Sequence, residues 1–275
     1  MVRKKGNSPE HAFPPLRDNL TLRDNVGMLT TLQVGLLNRL FPAPKRDETV
    51  YKTGSKVVAC LGYDFLNGIV GKTVIDFGCG EGQAAVELAL GGATRVIGVD
   101  IREEVLRAAR QRASAAHVDH ICYFTKQTNE CADVIISLDS FEHFAEPAAV
   151  LQIMSALLKR GAGVAASFGP TWYHPLGGHL FSVFPWAHLI FSEKALIIWR
   201  SGFKTDGATR FGEVAGGLNQ MSIRRFERIV AASPLRFTFL KTVPIRRLRW
   251  LHNRFTREFT TVVVRCRLVR RAEAE

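Results

Sequence analysis

Val74-Ile75-Asp76-Phe77-Gly78-Cys79-Gly80-Glu81-Gly82 reads as a buried strand that enters a glycine turn. Val, Ile and Phe form a short apolar run, as expected of a parallel strand covered on both faces. Three glycines at alternate positions then permit backbone angles, and a closeness of approach, that a Cβ forbids. Gln83 to Leu90 supplies good helix formers, and Gly91-Gly92 supplies the stop. Strand, turn and helix together make a seat for a ligand.

A dinucleotide fingerprint would place glycine at the sixth position of this turn, where Gln83 stands instead. Here the pattern is G-x-G-x-G, with the acid Asp76 two residues before the first glycine. The next apolar run, Arg95-Val96-Ile97-Gly98-Val99-Asp100, ends in a second acid, and a carboxylate at a strand tip can accept two hydroxyl hydrogen bonds at once. This combination resembles the first motifs of the class I S-adenosylmethionine-dependent methyltransferases; a dehydrogenase-like dinucleotide binder is the competing reading. The resemblance implies S-adenosylmethionine as cofactor and S-adenosylhomocysteine as product. It places the methionine end over Gly78, Cys79, Gly80 and Gly82 with Asp76 supporting the turn, the ribose on Asp100, and adenine against Ile101. Relatives often carry an acid after strand three to meet the adenine amine; this chain offers Gln127 and Thr128. Leu138 and Asp139, at the tip of strand four, complete the expected cofactor contacts.

Outward from the turn, strand and helix signals alternate with short connections. Strands are expected at 73–77, 95–99, 121–124, 133–138 and 163–168, with helices over 103–117 and from Pro147 to a cap at Lys159-Arg160-Gly161. Two further strands, 237–243 and 259–269, follow a helix begun by Ser222. The fold class expected is therefore α/β: a doubly wound, mostly parallel, seven-stranded Rossmann-like methyltransferase sheet with a terminal antiparallel hairpin. The organisation expected is a mobile basic arm (1–24), N-terminal lid helices (25–70), a cofactor-binding core (71–169), an inserted aromatic lid after strand five (170–220), and a C-terminal helix and hairpin completing the sheet (221–275). In the lid helices, apolar residues from Val26 to Leu40 recur at helical spacing, and a second helix is expected over 55–66.

Catalytic candidates lie in two stretches. Leu138-Asp139-Ser140-Phe141-Glu142-His143-Phe144 resembles the Glu-His signature of the ubiquinone-type and natural-product methyltransferases. His143 is either a general base or, with Glu142, an anchor of its loop. His174 and His179, in Trp172-Tyr173-His174-Pro175-Leu176-Gly177-Gly178-His179, are alternative bases or turn caps, and His188 is expected to be structural. Tyr51, Trp172, Tyr173, Phe181 and Trp186 are the expected substrate contacts. No metal is expected, on the ground that no carboxylate cluster accompanies these histidines.

Composition bounds the partners. The 275 residues carry 37 basic and 25 acidic side chains, for a net charge of +12. Such an excess suits nucleic acid, an anionic membrane surface or an acidic substrate. Arg246 to Arg257 gathers much of it around Trp250 and is either a solvated link or a binding surface. The absence of an Asn/Asp-Pro-Pro-aromatic motif argues against nucleobase amines. Because the inserted segment is aromatic and the Glu-His stretch resembles the quinone and natural-product branch, the favoured acceptor is a hydroxyl, or another nucleophile, of a small or lipid-like molecule; RNA methylation, or cofactor binding without catalysis, is the alternative. Peripheral membrane contact is possible. With five scattered cysteines and no signal-type or membrane-spanning run, a cytoplasmic location is expected.

Overall fold

A computed structural model describes residues 27–42, 54–214 and 216–271. The arm over 1–24 and Tyr51 lie outside the described residues. Among the described residues, seven strands form one sheet: β1 (Thr73–Phe77), β2 (Arg95–Val99), β3 (Cys122–Thr125), β4 (Ala132–Leu138), β5 (Leu158–Phe168), β6 (Leu235–Pro244) and β7 (Thr261–Arg270). Their order is β3-β2-β1-β4-β5-β7-β6; the first five are parallel, and β7 lies antiparallel between β5 and β6. The doubly wound sheet with a terminal antiparallel hairpin is as the alternation of signals implied.

The helices described with it are α1 (Met28–Leu40), α2 (Lys56–Leu61), α3 (Tyr63–Asn67), α4 (Gln83–Leu90), α5 (Glu103–Ala115), α6 (Pro147–Leu157), α7 (Ala187–Ile190), α8 (Glu193–Ser201), α9 (Ile223–Ala231) and α10 (Arg257–Thr260). Side chains of successive strand residues point to opposite faces, so each strand feeds two cores. Val74, Val96 and Ile136 pack with α2, α4 and α5 on one face. Ile75, Ile97 and Ile135 pack with α6, α9 and β7 on the other. A third cluster, around Trp199, Phe181, Phe191 and Phe211, belongs to the segment inserted after β5 and includes Leu37 of α1.

Several local expectations are corrected. The helix over 55–66 is two, because Gly62 has a φ of 90°, outside the helical region. α6 ends at Leu157, and Lys159-Arg160-Gly161 enter β5, where Lys159 pairs with Asp133 at 2.8 Å instead of capping the helix. The apolar stripe of α1 buries only Leu37; Leu29, Leu32, Leu36 and Leu40 face outward. Ser222 caps α9 as expected, accepting the Arg225 N–H. Among the described residues, no helix is long and apolar enough to cross a membrane.

Candidate cofactor site and the histidine cluster beside it

The glycine turn is held at the sheet's carboxyl edge by the neighbouring strand: Gly78 and Cys79 donate to Val99 O at 2.8 and 3.1 Å. Gly78, Gly80 and Gly82 have φ of 82°, 51° and 75°, a region most side chains avoid. A Cβ on Gly78 would sit 2.5 Å from Ser140 Oγ, and one on Gly82 would sit 2.8 Å from Ala109 Cβ. Beside Gly80 the space is open. Two of the glycines thus let the turn pack, and the third leaves a cradle.

Acids gather there. Asp76 is 2% exposed, and its Oδ2 has no hydrogen-bond partner. Burial pushes its carboxyl up to about 7; Lys56 opposes that shift, while Asp100 and Glu87 add to it. Asp100 accepts from Gly80 N–H at 3.0 Å, from Arg102 N–H at 3.0 Å, and from the Arg102 guanidinium at 3.0 and 3.1 Å. Burial raises Asp100, but the bonds from Arg102 and Gly80 outweigh it and hold the carboxyl below its ordinary value. Asp139 has a φ of 53° and pairs with Lys56 at 3.2 Å.

Lys56 was not singled out by sequence reasoning. Its ammonium also donates to Leu138 O at 3.3 Å. The residue is delivered by Glu87 of α4, which accepts the Lys56 and Val57 N–H groups and the Ser55 hydroxyl, satisfying the free donors of α2's first turn. Burial would lower the Lys56 pKa, but Asp139 and Asp76 overcome it and keep the group charged. Two of the chain's own cations, Lys56 and Arg102, therefore rest on the acids of the cradle.

After β4 the chain turns under an aromatic cluster in which Phe141 meets Phe144, Phe168 and Phe226 at ring separations of 5.2, 6.0 and 5.0 Å. This anchorage presents Glu142 and His143. Glu142 is 2% exposed; one carboxyl oxygen accepts the Gly169 N–H at 3.0 Å, and the other, Oε2, is buried without a partner. His143 Nδ1 donates to Gly217 O at 2.7 Å, and its ring meets that of His179 edge-on at 5.2 Å. His179 Nε2 is likewise buried without a partner, and His179 has a φ of 51°. Burial dominates all three groups: it pushes Glu142 up to about 8, lowers His143, and, with His143 and His188 adding, takes His179 to about 4.

Residues 70–170 match the family model described as a methyltransferase domain, Methyltransf_31. Residues 70–170 of this chain are a methyltransferase domain. The sequence is 35% identical over 124 residues to the ribosomal protein L11 methyltransferase of Photobacterium profundum, covering 42% of this chain and 41% of that protein. It is 33% identical over 109 residues to the ubiquinone biosynthesis O-methyltransferase of Neisseria meningitidis serogroup A, covering 36% of this chain and 46% of that one. The chain thus spans less than half the length of these relatives. A geranyl diphosphate methyltransferase structure in complex with SAM shares the fold with a TM-score of 0.51, at 16% identity over 76% of this chain and 84% of that one. The [4+2]-cyclase SpnF shares it with a TM-score of 0.50, at 13% identity over 76% and 80%.

Within the methyltransferase domain the expected site residues divide. Asp76, Asp100, the three glycines, Leu138 O and Asp139 converge on the cradle. Cys79 turns its side chain into the core, where burial raises its thiol, so that only its backbone faces the turn. Ile101 is 83% exposed beside it. Gln127 and Thr128 line a cleft of about 520 Å³ at the outer edge of β3, with Arg95, Arg110 and Tyr123, and none of the turn's glycines reaches it. Thr128 Oγ1 is also engaged by Glu130 N–H at 3.1 Å.

Further expectations change, most of them in the segment inserted after β5. His174 is buried and its Nδ1 accepts the Leu176 N–H at 3.0 Å, so it caps a turn and is withdrawn as a base. Phe181, 1% exposed, is core of the inserted segment and offers no free face to a substrate. Trp172 packs on His188 and Phe211, and Trp186 Nε1 donates to Tyr173 O at 3.0 Å, leaving Tyr173, in tilted contact with Phe259 at 5.5 Å, the most exposed of the described group. His188 is structural as expected, bonded to Ser182 Oγ and Trp172 O. The ground for excluding a metal also falls, because the fold brings His179 to the Glu142-His143 pair and so sets a carboxylate beside two imidazoles.

Proposed function

We propose that the chain transfers a methyl group to a hydroxyl of a small or lipid-like molecule. The observation that carries this reading is the cradle: a glycine turn open at Gly80, an unpartnered buried Asp76 Oδ2, and Asp100 at the tip of β2. These residues fit S-adenosylmethionine, whose sulfonium makes its methyl group electrophilic when bound. Asp76 and Asp139 suit the ammonium of the methionine end, and Asp100 suits the ribose hydroxyls once the Arg102 guanidinium, itself 42% exposed, gives way. Such catalysis needs chiefly that the chain hold the acceptor in line and keep water out.

A hydroxyl acceptor is supported by the Glu-His stretch and by the similarity to ubiquinone biosynthesis O-methyltransferases. A lipid-like one is supported by the exposed Trp250, Phe255 and Phe259 close in sequence to the arginines of 246–257. The same arginines favour RNA as the second reading. Incubation with radiolabelled S-adenosylmethionine and cell extract separates them. Label in the organic-soluble fraction is expected; label in RNA or protein alone would overturn the choice of acceptor.

Asp76 gives a pH signature. Its carboxyl, held near 7 by burial beside Lys56, Asp100 and Glu87, is largely protonated at pH 6 in the empty protein. A raised folded pKa means that stability is lost as pH climbs from about 4 through 7, by roughly 1.4 kcal/mol per pH unit across that window. An ammonium placed beside it favours the ionised form, so S-adenosylhomocysteine is expected to release a proton on binding at pH 6. Calorimetry in buffers of different ionisation enthalpy reads this directly; identical heats would remove Asp76 from contact with the ligand.

A further inference from the structure

Two of the buried polar atoms without partners near the cradle, Glu142 Oε2 and His179 Nε2, belong to one cluster. Glu142, His143 and His179 can each offer one ligand atom, and these atoms all lie within 4.8 Å of one another. We propose that Glu142, His143 and His179 form a site for a divalent transition-metal ion. A buried carboxyl oxygen and a buried imidazole nitrogen without hydrogen bonds are costly to keep in a folded protein unless something satisfies them. A cation does so for both at once.

The surrounding contacts are those of a ligand set. A carbonyl can only accept, so the His143 Nδ1 contact with Gly217 O fixes the proton on Nδ1 and leaves the Nε2 lone pair free. Histidines that ligate metals are commonly oriented in this way, by a carbonyl on the other nitrogen. The Gly169 N–H holds Glu142 through Oε1, leaving Oε2 to point elsewhere. His179 is held at positive φ at the start of a 3-10 turn, a conformation that non-glycine residues adopt at a cost and that concentrates at functional sites. It comes from the inserted segment, so the ion would also tie that segment to the tip of β4.

Two imidazoles and one carboxylate suit Zn²⁺, Mn²⁺, Fe²⁺ or Co²⁺, and are a poor match for Ca²⁺, which prefers oxygen alone. Three protein ligands leave coordination positions open. If the proposed methyl transfer holds, an acceptor oxygen bound there would lose its proton more readily. Binding of the ion itself does not depend on that reading.

The test uses the full chain without a histidine tag, stripped with a chelator and titrated with Zn²⁺ and, separately, with Co²⁺ followed by its visible absorption. About one equivalent is expected to bind, with a Co²⁺ spectrum of nitrogen and oxygen ligation. His179→Ala and the near-isosteric Glu142→Gln are each expected to weaken binding by at least roughly tenfold. Both variants should keep an S-adenosylhomocysteine affinity within about threefold of the parent, which also reports that they fold. Failure of the parent to retain an ion, or equal retention by both variants as ligation through exposed Cys131 would give, overturns the site. An ion bound without any S-adenosylhomocysteine binding would instead count against the methyltransferase reading and leave the site standing.

Discussion

Gly78→Ala is expected to cost about 2–5 kcal/mol of stability and to abolish measurable S-adenosylhomocysteine binding. Two effects add. A non-glycine residue in the left-handed region costs roughly 1–2 kcal/mol. The new Cβ would also meet Ser140, with Oγ at 2.5 Å and Cβ at 2.7 Å, and overpacking of this kind typically costs about 1–3 kcal/mol. Ser140 cannot simply rotate aside, since its Cβ is fixed by the backbone and its hydroxyl contacts both Gly78 O and Leu138 O. Movement would carry the β4 tip, and with it Asp139 and Glu142, away from the turn. Adding Ser140→Gly removes the clash but not the backbone cost, so a denaturant series on the double variant should recover about half the loss. Gly80→Ala is the informative companion: open space beside Gly80 predicts little clash, and any loss of ligand binding there reports the cradle itself.

Trp199→Ala is expected to be the most destabilising single truncation, by about 3–5 kcal/mol. The indole is 1% exposed, its Nε1 donates to Phe41 O at 2.8 Å, and its ring meets Phe203 at 4.8 Å. Removing it hollows the core of the inserted segment and orphans the carbonyl at the end of α1. That cluster is distinct from the two that flank the sheet. Hydrogen exchange should therefore quicken over 28–41 and 172–211 while amides of β1, β2 and β4 keep their protection. Uniform loss of protection would show that the segment and the sheet unfold as one unit.

The sheet was legible because each of its signals is local. Strand, turn and helix around Gly78 follow one another within about twenty residues, and Asp76 and Asp100 stand at strand tips that the alternation itself marks. What escaped is what depends on contacts distant in sequence. Lys56 reaches the cradle only because Glu87, on another helix, caps α2. Arg102 carried a local signal, two residues after Asp100, that could have been read. Glu142 and His143 were visible as a pair, but His179 joins them through the fold of the inserted segment, so that the carboxylate and two imidazoles never appear as a motif. Phe181 and the outer face of α1 show the limit of composition: a list of apolar residues does not say which are spent on a core of their own and which are left exposed.

Titration of S-adenosylhomocysteine into the purified protein by calorimetry, with Asp100→Ala alongside, tests the central claim most directly. The cradle predicts about one ligand per chain in the parent, and affinity weakened at least roughly tenfold when the carboxylate that would hold the ribose is removed. Equal affinity in the two proteins would take Asp100 out of the site, and absence of binding to the parent would contradict the assignment of the glycine turn as a cofactor seat.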